Sequence, residues 1–385
     1  MKRTLILLAL VLALLAACRA AETPSPSPTA LPTLAPRSPA PPHAHGFCGD
    51  GVCDGPETHD RCPADCPAPS STPPAMVAAP TPASAGEGVL YLGMMIHLEG
   101  WGDGENRDAF ERHAALLRDY ADLFERYGAR MTLESKEFTD GCINWGDNVL
   151  LEMEARGHGI GLHADVGGEP NYDCRRFVAD LQERKARLES LGVTVRHVSG
   201  IVSRCDWVTA SSEAGFQFVT GIVAYGLSSM PPQMRPAPYR DCRSPAACHQ
   251  PYPPDLRDRL HPWRMESGSN WTTPTPDGRL VILPSGGGLD CMAEEAASTD
   301  STTRCDFTPE DLEVFHQQLE EALSYATPDQ VNIYYVAWSF GKALDRDLLE
   351  AWLQEIQPYV ESGRVEWKTL PEMYDAYIRW EAARP

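Results

Sequence analysis

The sequence predicts an α/β fold: a closed barrel of repeated β-α units, its parallel strands wrapped by helices, preceded by a small disulfide-rich module. Three observations predict it. From about Gly86 onward, short apolar runs of strand length alternate with longer segments whose apolar residues recur at helical spacing. The apolar runs are near-continuous, as strands covered on both faces require. Repetition of about seven or eight such β-α units closes a barrel more readily than it extends a flat sheet, although an open doubly wound sheet is the alternative.

The elements follow in order. "GVLYLGMMIHL" (Gly88–Leu98) is a strand, and "RDAFERHAALLRDYADLFERYG" is a helix that stops at Gly128. "ARMTLES" (Ala129–Ser135) is the second strand, "WGDNVLLEMEARG" a helix ending at Gly157, and "HGIGLHA" (His158–Ala164) the third strand. The charged amphipathic "RRFVADLQERKARLESLG" leads to a fourth strand, "VTVRHVSG", a short helix, "WVTASSEAG", and a fifth strand, "FQFVTGIVAY". From about Leu227 to Asp277 the chain is rich in Pro, Arg, Cys and Trp without a clean period, and reads as an irregular insertion. "RLVILPSGGG" resumes as a strand, followed by helix "PEDLEVFHQQLEEALSYA", strand "VNIYYVAWSF", helix "DRDLLEAWLQEIQPYVESG", strand "VEWKTL" and helix "PEMYDAYIRWEAA". The barrel domain is therefore bounded at 88–383.

What precedes it is not part of the barrel. Residues 1–17 have a signal peptide's charged start, Lys2 and Arg3, and its short apolar core. The run ends in "LAAC", Leu15 to Cys18, which resembles a bacterial lipobox. That resemblance implies cleavage before Cys18, lipidation of its thiol and an extracytoplasmic lipoprotein anchored to a membrane only through lipid. Residues 18–46 form a Pro-rich disordered tether, and 68–87 a Pro/Ala-rich linker; neither has the apolar surface for a core. Between them, residues 47–67 carry Cys48, Cys53, Cys62 and Cys66, four cysteines within nineteen residues, which read as two disulfides closing a tiny module. Asp50, Asp54, Glu57, Asp60 and Asp65 offer oxygens to calcium there; a stapled spacer with solvated acids is the plainer alternative.

The formal charge of −21 argues against nucleic acid as a partner. It says nothing of oligomeric state. Seven cysteines fall in the barrel domain: Cys142, Cys174, Cys205, Cys242, Cys248, Cys291 and Cys305. Cys242 with Cys248 and Cys291 with Cys305 each close a short loop, so local pairing is plausible, and one of the other three is left as a thiol; spacing does not assign the connectivity.

In a parallel barrel the working residues sit just beyond the strands' carboxyl ends. Two matching pairs stand there: His97 and Glu99 in "MMIHLEGW", and His163 and Asp165 in "GIGLHADVGG". Residues two apart on a strand share a face, so each pair can aim both side chains into the barrel mouth. Imidazole and carboxylate are what zinc and similar divalent ions bind. A single His near a strand end is more often a hydrogen-bonded core residue; two His-x-acid pairs are less easily coincidence. Aromatics such as Trp101 can stack on a sugar face, though rim packing explains any one of them.

"YGARMTLESKEFTDGCINWGDNVLLEMEARGHGIGLHADVGG" resembles the polysaccharide deacetylases of carbohydrate esterase family four, most specifically over Tyr127–Ala164, where "RGHGIGLHA" is similar to the family's "GHEIGsHt". "LGVTVRHVSG", "EAGFQFV" and "GRVEWKTLPEMYDAY" extend the likeness thinly. It implies an irregular (β/α)7 barrel and metal-dependent removal of acetyl groups from sugars. The departures are specific. Glu99 takes the position of a ligand aspartate, Leu98 falls where the family's base stands, and Gly167 falls where its second metal histidine stands. Only His163 matches the ligand set outright. His97 and Asp165 can fill the vacancies by geometry, giving a metal set of His97, Glu99, His163 and Asp165, with Glu99 or Asp165 as base. Arg204 and Asp206 in "SGIVSRCDW" are candidates for the family's arginine-centred motif, and Trp338 stands with Ser339 where an acid histidine is often found; all three are candidates for contacting substrate.

The expected function is therefore a surface-tethered, metal-dependent hydrolase, zinc being the first candidate ion, that removes acetyl groups from an N-acetylated polysaccharide. Two alternatives remain open: a catalytically inactive barrel of the same kind that binds glycan, and a metal-free glycosidase using Glu99 and Asp165 as paired acids.

Overall fold

The structure, a computed structural model, describes residues 88–384 apart from 100–101, 170, 222–226, 228–229, 241–250, 285–286, 298–304 and 341–343. Cys18, expected to carry lipid, the cysteines expected to staple the small module (Cys48, Cys53, Cys62 and Cys66), the expected calcium ligands, Trp101 and the Cys242–Cys248 loop lie outside the described residues.

The strands are β1 (Leu90–Leu98), β2 (Met131–Ser135), β3 (Gly159–His163), β4 (His197–Ser199), β5 (Phe218–Thr220), β6 (Trp263–Met265), β7 (Leu280–Leu283), β8 (Asn332–Ser339) and β9 (Val365–Trp367). The helices are α1 (Arg107–Arg126), α2 (Glu137–Trp145), α3 (Val149–Ala155), α4 (Phe177–Glu189), α5 (Trp207–Glu213), α6 (Leu256–Arg259), α7 (Met292–Ala297), α8 (Pro309–Tyr325), α9 (Arg346–Glu361) and α10 (Leu370–Ala382). The strand order is β6-β7-β5-β4-β3-β2-β1-β8, with β9 beside β1. From β7 to β8 every pairing is parallel. The ring then closes through the chain after β7, where Ala337 N donates to Gly287 O at 2.9 Å and Gly288 bridges Ala337 in parallel. Seven parallel strands with outer helices make the expected irregular (β/α)7-type barrel, not an open sheet.

Helix α1 shows how the wrapping is written locally. Asn106 caps it by accepting from Ala109 N at 3.1 Å, and Phe110, Ala114, Leu117, Ala121 and Phe124 form one buried face against the sheet. The interior of the barrel is divided by height. Its lower part is apolar, with Met95, Phe218, Val281 and Tyr335 packed against Met373 and Tyr377 of α10, which plugs the amino-terminal end. A reciprocal capping box between Thr369 and Glu372 starts that helix. The upper part is polar and holds the site.

Three local readings change. A helix, α2, follows β2 directly, where the sequence reading leaves "KEFTDGCIN" unassigned; Phe138 and Cys142 bury one face of it. The segment read as irregular contributes β6, which joins the sheet antiparallel to β7. The strand "VEWKTL" stays outside the ring and flanks only Leu90–Leu92 of β1. Among the described residues, disulfides join Cys174 to Cys205 and Cys291 to Cys305, and Cys142 is a buried thiol.

Candidate functional site

Strand register builds the site row by row. His97 of β1 is level with Glu134 of β2. Glu134 is level with Gly161 of β3, and one residue beyond that row Leu162 and His163 meet Val198 and Ser199 of β4. Because inward-facing residues alternate, the next inward row holds Glu99, Lys136, His163, Ser199 and Thr220. Gly161 has no side chain for a physical reason: a Cβ there would lie 2.0 Å from His197 Nε2, so the imidazole occupies that space. His197 in turn stacks on Phe218 with ring centroids 4.7 Å apart.

At the centre lies Glu134, fully buried. Ser199 and Thr220 hydroxyls each donate to its carboxylate, on different oxygens. His97 Nε2 lies 3.0 Å and His197 Nε2 3.3 Å from it, at ion-pair distance but without hydrogen-bond alignment. Burial opposes its ionisation, yet the neighbouring His197 and His97 hold its carboxyl well below the usual range. A buried carboxylate without such partners would be neutral or destabilising.

The Ser199 hydroxyl carries one proton, and it is given to Glu134. His163 Nδ1, 2.7 Å from the same oxygen, must therefore donate to it. That sets the ring so that Nε2 points outward, 3.0 Å from Glu99 Oε2 and 3.2 Å from Asp165 Oδ1. Burial disfavours a cation on His163, but the hydrogen bonds to Asp165 and Glu99 outweigh it and raise the imidazole to about 10. The same contacts overcome burial at Glu99 and hold its carboxyl below its ordinary value. Asp165 is depressed further, against burial, by His163 and by the Lys136 ammonium 2.8 Å away. Asp165 also has φ 45°, the only non-glycine residue in the left-handed region among the described residues. The turn fits because Gly200 lies against it: a Cβ at Gly200 would come within 2.8 Å of Asp165 N and Oδ1.

The four residues expected around one cation divide into two groups that share His163. Glu99, His163 and Asp165 form one potential metal triad, and His97, Glu134 and His163 the other. His97 reaches Glu99 only at 3.8 Å, and its ring packs on His163 with centroids 4.1 Å apart. The first triad fits a divalent ion by the chemistry of its donors. Two ionised carboxylates converge on an imidazole nitrogen whose partner nitrogen is held by a Ser–Glu relay, the arrangement that orients metal-bound histidines. In the second triad the Glu134 carboxylate already accepts from the Ser199 and Thr220 hydroxyls and is fully buried, so the first triad is the better fit.

The remaining expectations resolve differently. Trp338 is not at the mouth. It is level with Ile96, one residue out of phase with His97, and so faces the helices, packed in the core against Tyr120 and Phe340. Asp206 caps α5 by accepting from Thr209 N and ties down the insertion by accepting from Gly268 N at 2.7 Å. Arg204 does not pair with it; its guanidinium donates to the carbonyl of Tyr172. Sequence reading passed over Glu134, Lys136, Ser199 and Thr220. A signal was present: Glu134 and Lys136 repeat the two-residue spacing at the end of a strand that singles out His97 and Glu99.

In this parallel seven-stranded barrel, acids and histidines gather beyond the carboxyl ends of the strands, where barrels of this class place their working residues. No family model matches the chain, and no curated protein matches it. Among solved structures, a Mycobacterium smegmatis protein assigned as a polysaccharide deacetylase superposes with a TM-score of 0.50 at 12% identity, over 80% of this chain and 96% of that one. A Pseudomonas aeruginosa PAO1 protein of the same assignment gives 0.47 at 13% identity, over 76% and 92% of the two chains. PuuE allantoinase gives 0.49 at 11%, over 80% and 95%. The chain has a polysaccharide deacetylase-like fold, divergent in sequence. At this identity the likeness speaks for the fold, and the chemistry must be argued from the site.

Proposed function

We propose that the protein is a metal-dependent hydrolase that removes acetyl groups from an N-acetylated polysaccharide, held outside the membrane by lipid on Cys18. The observation that carries this reading is the Glu99–His163–Asp165 triad, with His163 aimed by Ser199, at the carboxyl ends of parallel strands. A zinc-type ion there would act as a Lewis acid on the acyl carbonyl and lower the pKa of water. Glu99, His163 and Asp165 would hold it. The sequence offers Glu99 or Asp165 as base, but both face His163 and are held ionised and weakly basic. His97 is the better placed proton carrier: it is partly exposed, with Nδ1 toward Glu99 and Nε2 backed by buried Glu134. Glu134 itself cannot touch substrate and acts by orienting both histidines. The "LAAC" at Leu15–Cys18 supports the tether, and the acids around Cys48–Cys66 support calcium in the small module.

A second reading, glycan binding without hydrolysis, is favoured by one feature: Lys136 already supplies a cation to Asp165. The glycosidase reading is the weakest, because it needs one protonated carboxyl, and Glu99 and Asp165 are both held below their ordinary values. The test is acetate release from an N-acetylated oligosaccharide by the full chain, with zinc, with chelator and in His163→Ala. Zinc-dependent release, lost in the other two, is expected. Zinc binding without acetate release would shift the assignment to glycan binding.

A further inference from the structure

We propose that Lys136 is a displaceable internal counter-ion of the Glu99–His163–Asp165 site, so that its ammonium competes with a divalent ion for the same carboxylates and sets the metal affinity. The inference rests on the metal reading above and concerns what regulates that same site.

Three carboxylates surround the ammonium. Lys136 Nζ lies 2.8 Å from Asp165 Oδ2, 3.2 Å from Glu137 Oε1 and 3.8 Å from Glu99 Oε2. Asp165 thus bridges two cationic partners, His163 through Oδ1 and Lys136 through Oδ2. A metal ion held by Glu99 and Asp165 would stand beside an ammonium on the same two side chains, and like charges that close repel strongly. The lysine can yield where the ligands cannot. Its backbone is anchored, with Lys136 N donating to Leu98 O at 3.1 Å, but the side chain is a flexible four-carbon stem that is partly exposed at the mouth. His163 is buried and fixed by Ser199, and Asp165 is fixed by its left-handed backbone against Gly200. Binding of metal would therefore release Lys136 from Asp165 toward Glu137 and solvent, with the ligand positions unchanged.

Zinc affinity of the full chain, measured by competition with a chromophoric chelator, tests this in the wild type, Lys136→Met and Lys136→Arg. Thermal unfolding without metal checks that each variant folds. Lys136→Met, which keeps the stem and removes the charge, should bind zinc at least about tenfold more tightly. Lys136→Arg, which keeps the charge, should stay within about threefold of the wild type. Zinc binding by the wild type with no gain in Lys136→Met overturns the inference and leaves the hydrolase reading standing, as does weaker binding by that variant. Binding by Lys136→Met alone upholds the inference and overturns the metal dependence of the natural chain. Absence of binding in every variant overturns both.

Discussion

At the scale of single residues, the molecule is organised around one buried carboxylate. Glu134 sits where a barrel of this kind would ordinarily be filled by aliphatic side chains, and it is tolerated because two hydroxyls and two imidazoles converge on it. It converts the orientation of a serine into the orientation of His163, and so places Nε2 between Glu99 and Asp165. Thr220 donates to Glu134 on the oxygen away from Ser199. Thr220→Val keeps the shape and removes that donor, and should cost about 1.5–3 kcal/mol in urea unfolding. A loss under about 0.5 kcal/mol would mean that Ser199 and the imidazoles satisfy the charge without Thr220. His163→Ala should abolish zinc-induced stabilisation. With zinc at about a hundred times its dissociation constant, the wild type should gain about 2.7 kcal/mol, read as a rise in melting temperature that the variant lacks.

At the scale of elements, the start of β3 is tied to the start of β2 by a histidine in one tautomer. Met131 N donates to His158 Nδ1 at 3.0 Å, so the proton of the neutral ring is on Nε2, which faces Glu125 Oε1 at 3.1 Å. Burial lowers the His158 imidazole to about 4, despite the opposing pull of Glu125. Protonating Nδ1 would also break the bond from Met131. The folded value lies below the unfolded one near 6.5, so the contribution is intact above that pH and is lost as the pH falls toward about 4. Stability should decline over this window by about 1.4 kcal/mol per pH unit. His158→Gln, which can still accept from Met131, should flatten that slope in chemical unfolding at pH 6 and pH 4.5; an unchanged slope would place the proton uptake elsewhere.

At the scale of the whole molecule, the barrel has an apolar lower half and a polar upper edge that holds the candidate site. The apolar plug of α10 beneath and the polar rows above come from the same strands, because residues two apart climb the interior from Met95 to His97 to Glu99. Cys174–Cys205 then joins the loop after β3 to the loop after β4, across thirty-one positions of sequence. Chain entropy gives such a crosslink roughly 3–4 kcal/mol. Removing it by Cys174→Ser with Cys205→Ser should lower stability by about that amount. It should also weaken zinc binding, since Asp165 and Gly200 belong to the two joined loops. A stability loss with zinc affinity untouched would show that the crosslink serves the fold and not the site.

Much of this was legible in the chain. Strand-length apolar runs and helical spacing determined the βα order, since each signal depends only on neighbours in sequence. The same locality put His97, Glu99, His163 and Asp165 at strand ends, because a two-residue period is readable within one strand. Which rows face inward together was not legible. Register between strands decided that Glu134 meets His97, that Ser199 meets His163 and that Trp338, one residue out of phase, turns into the core. Cysteine pairing belonged to the same class, as Cys174 finds Cys205 only when two loops stand side by side. Lys136 is the clearest case. Alone it is a solvated lysine before a helix, and only the turn at Asp165, closed against Gly200 from the loop after β4, makes it a partner of the site.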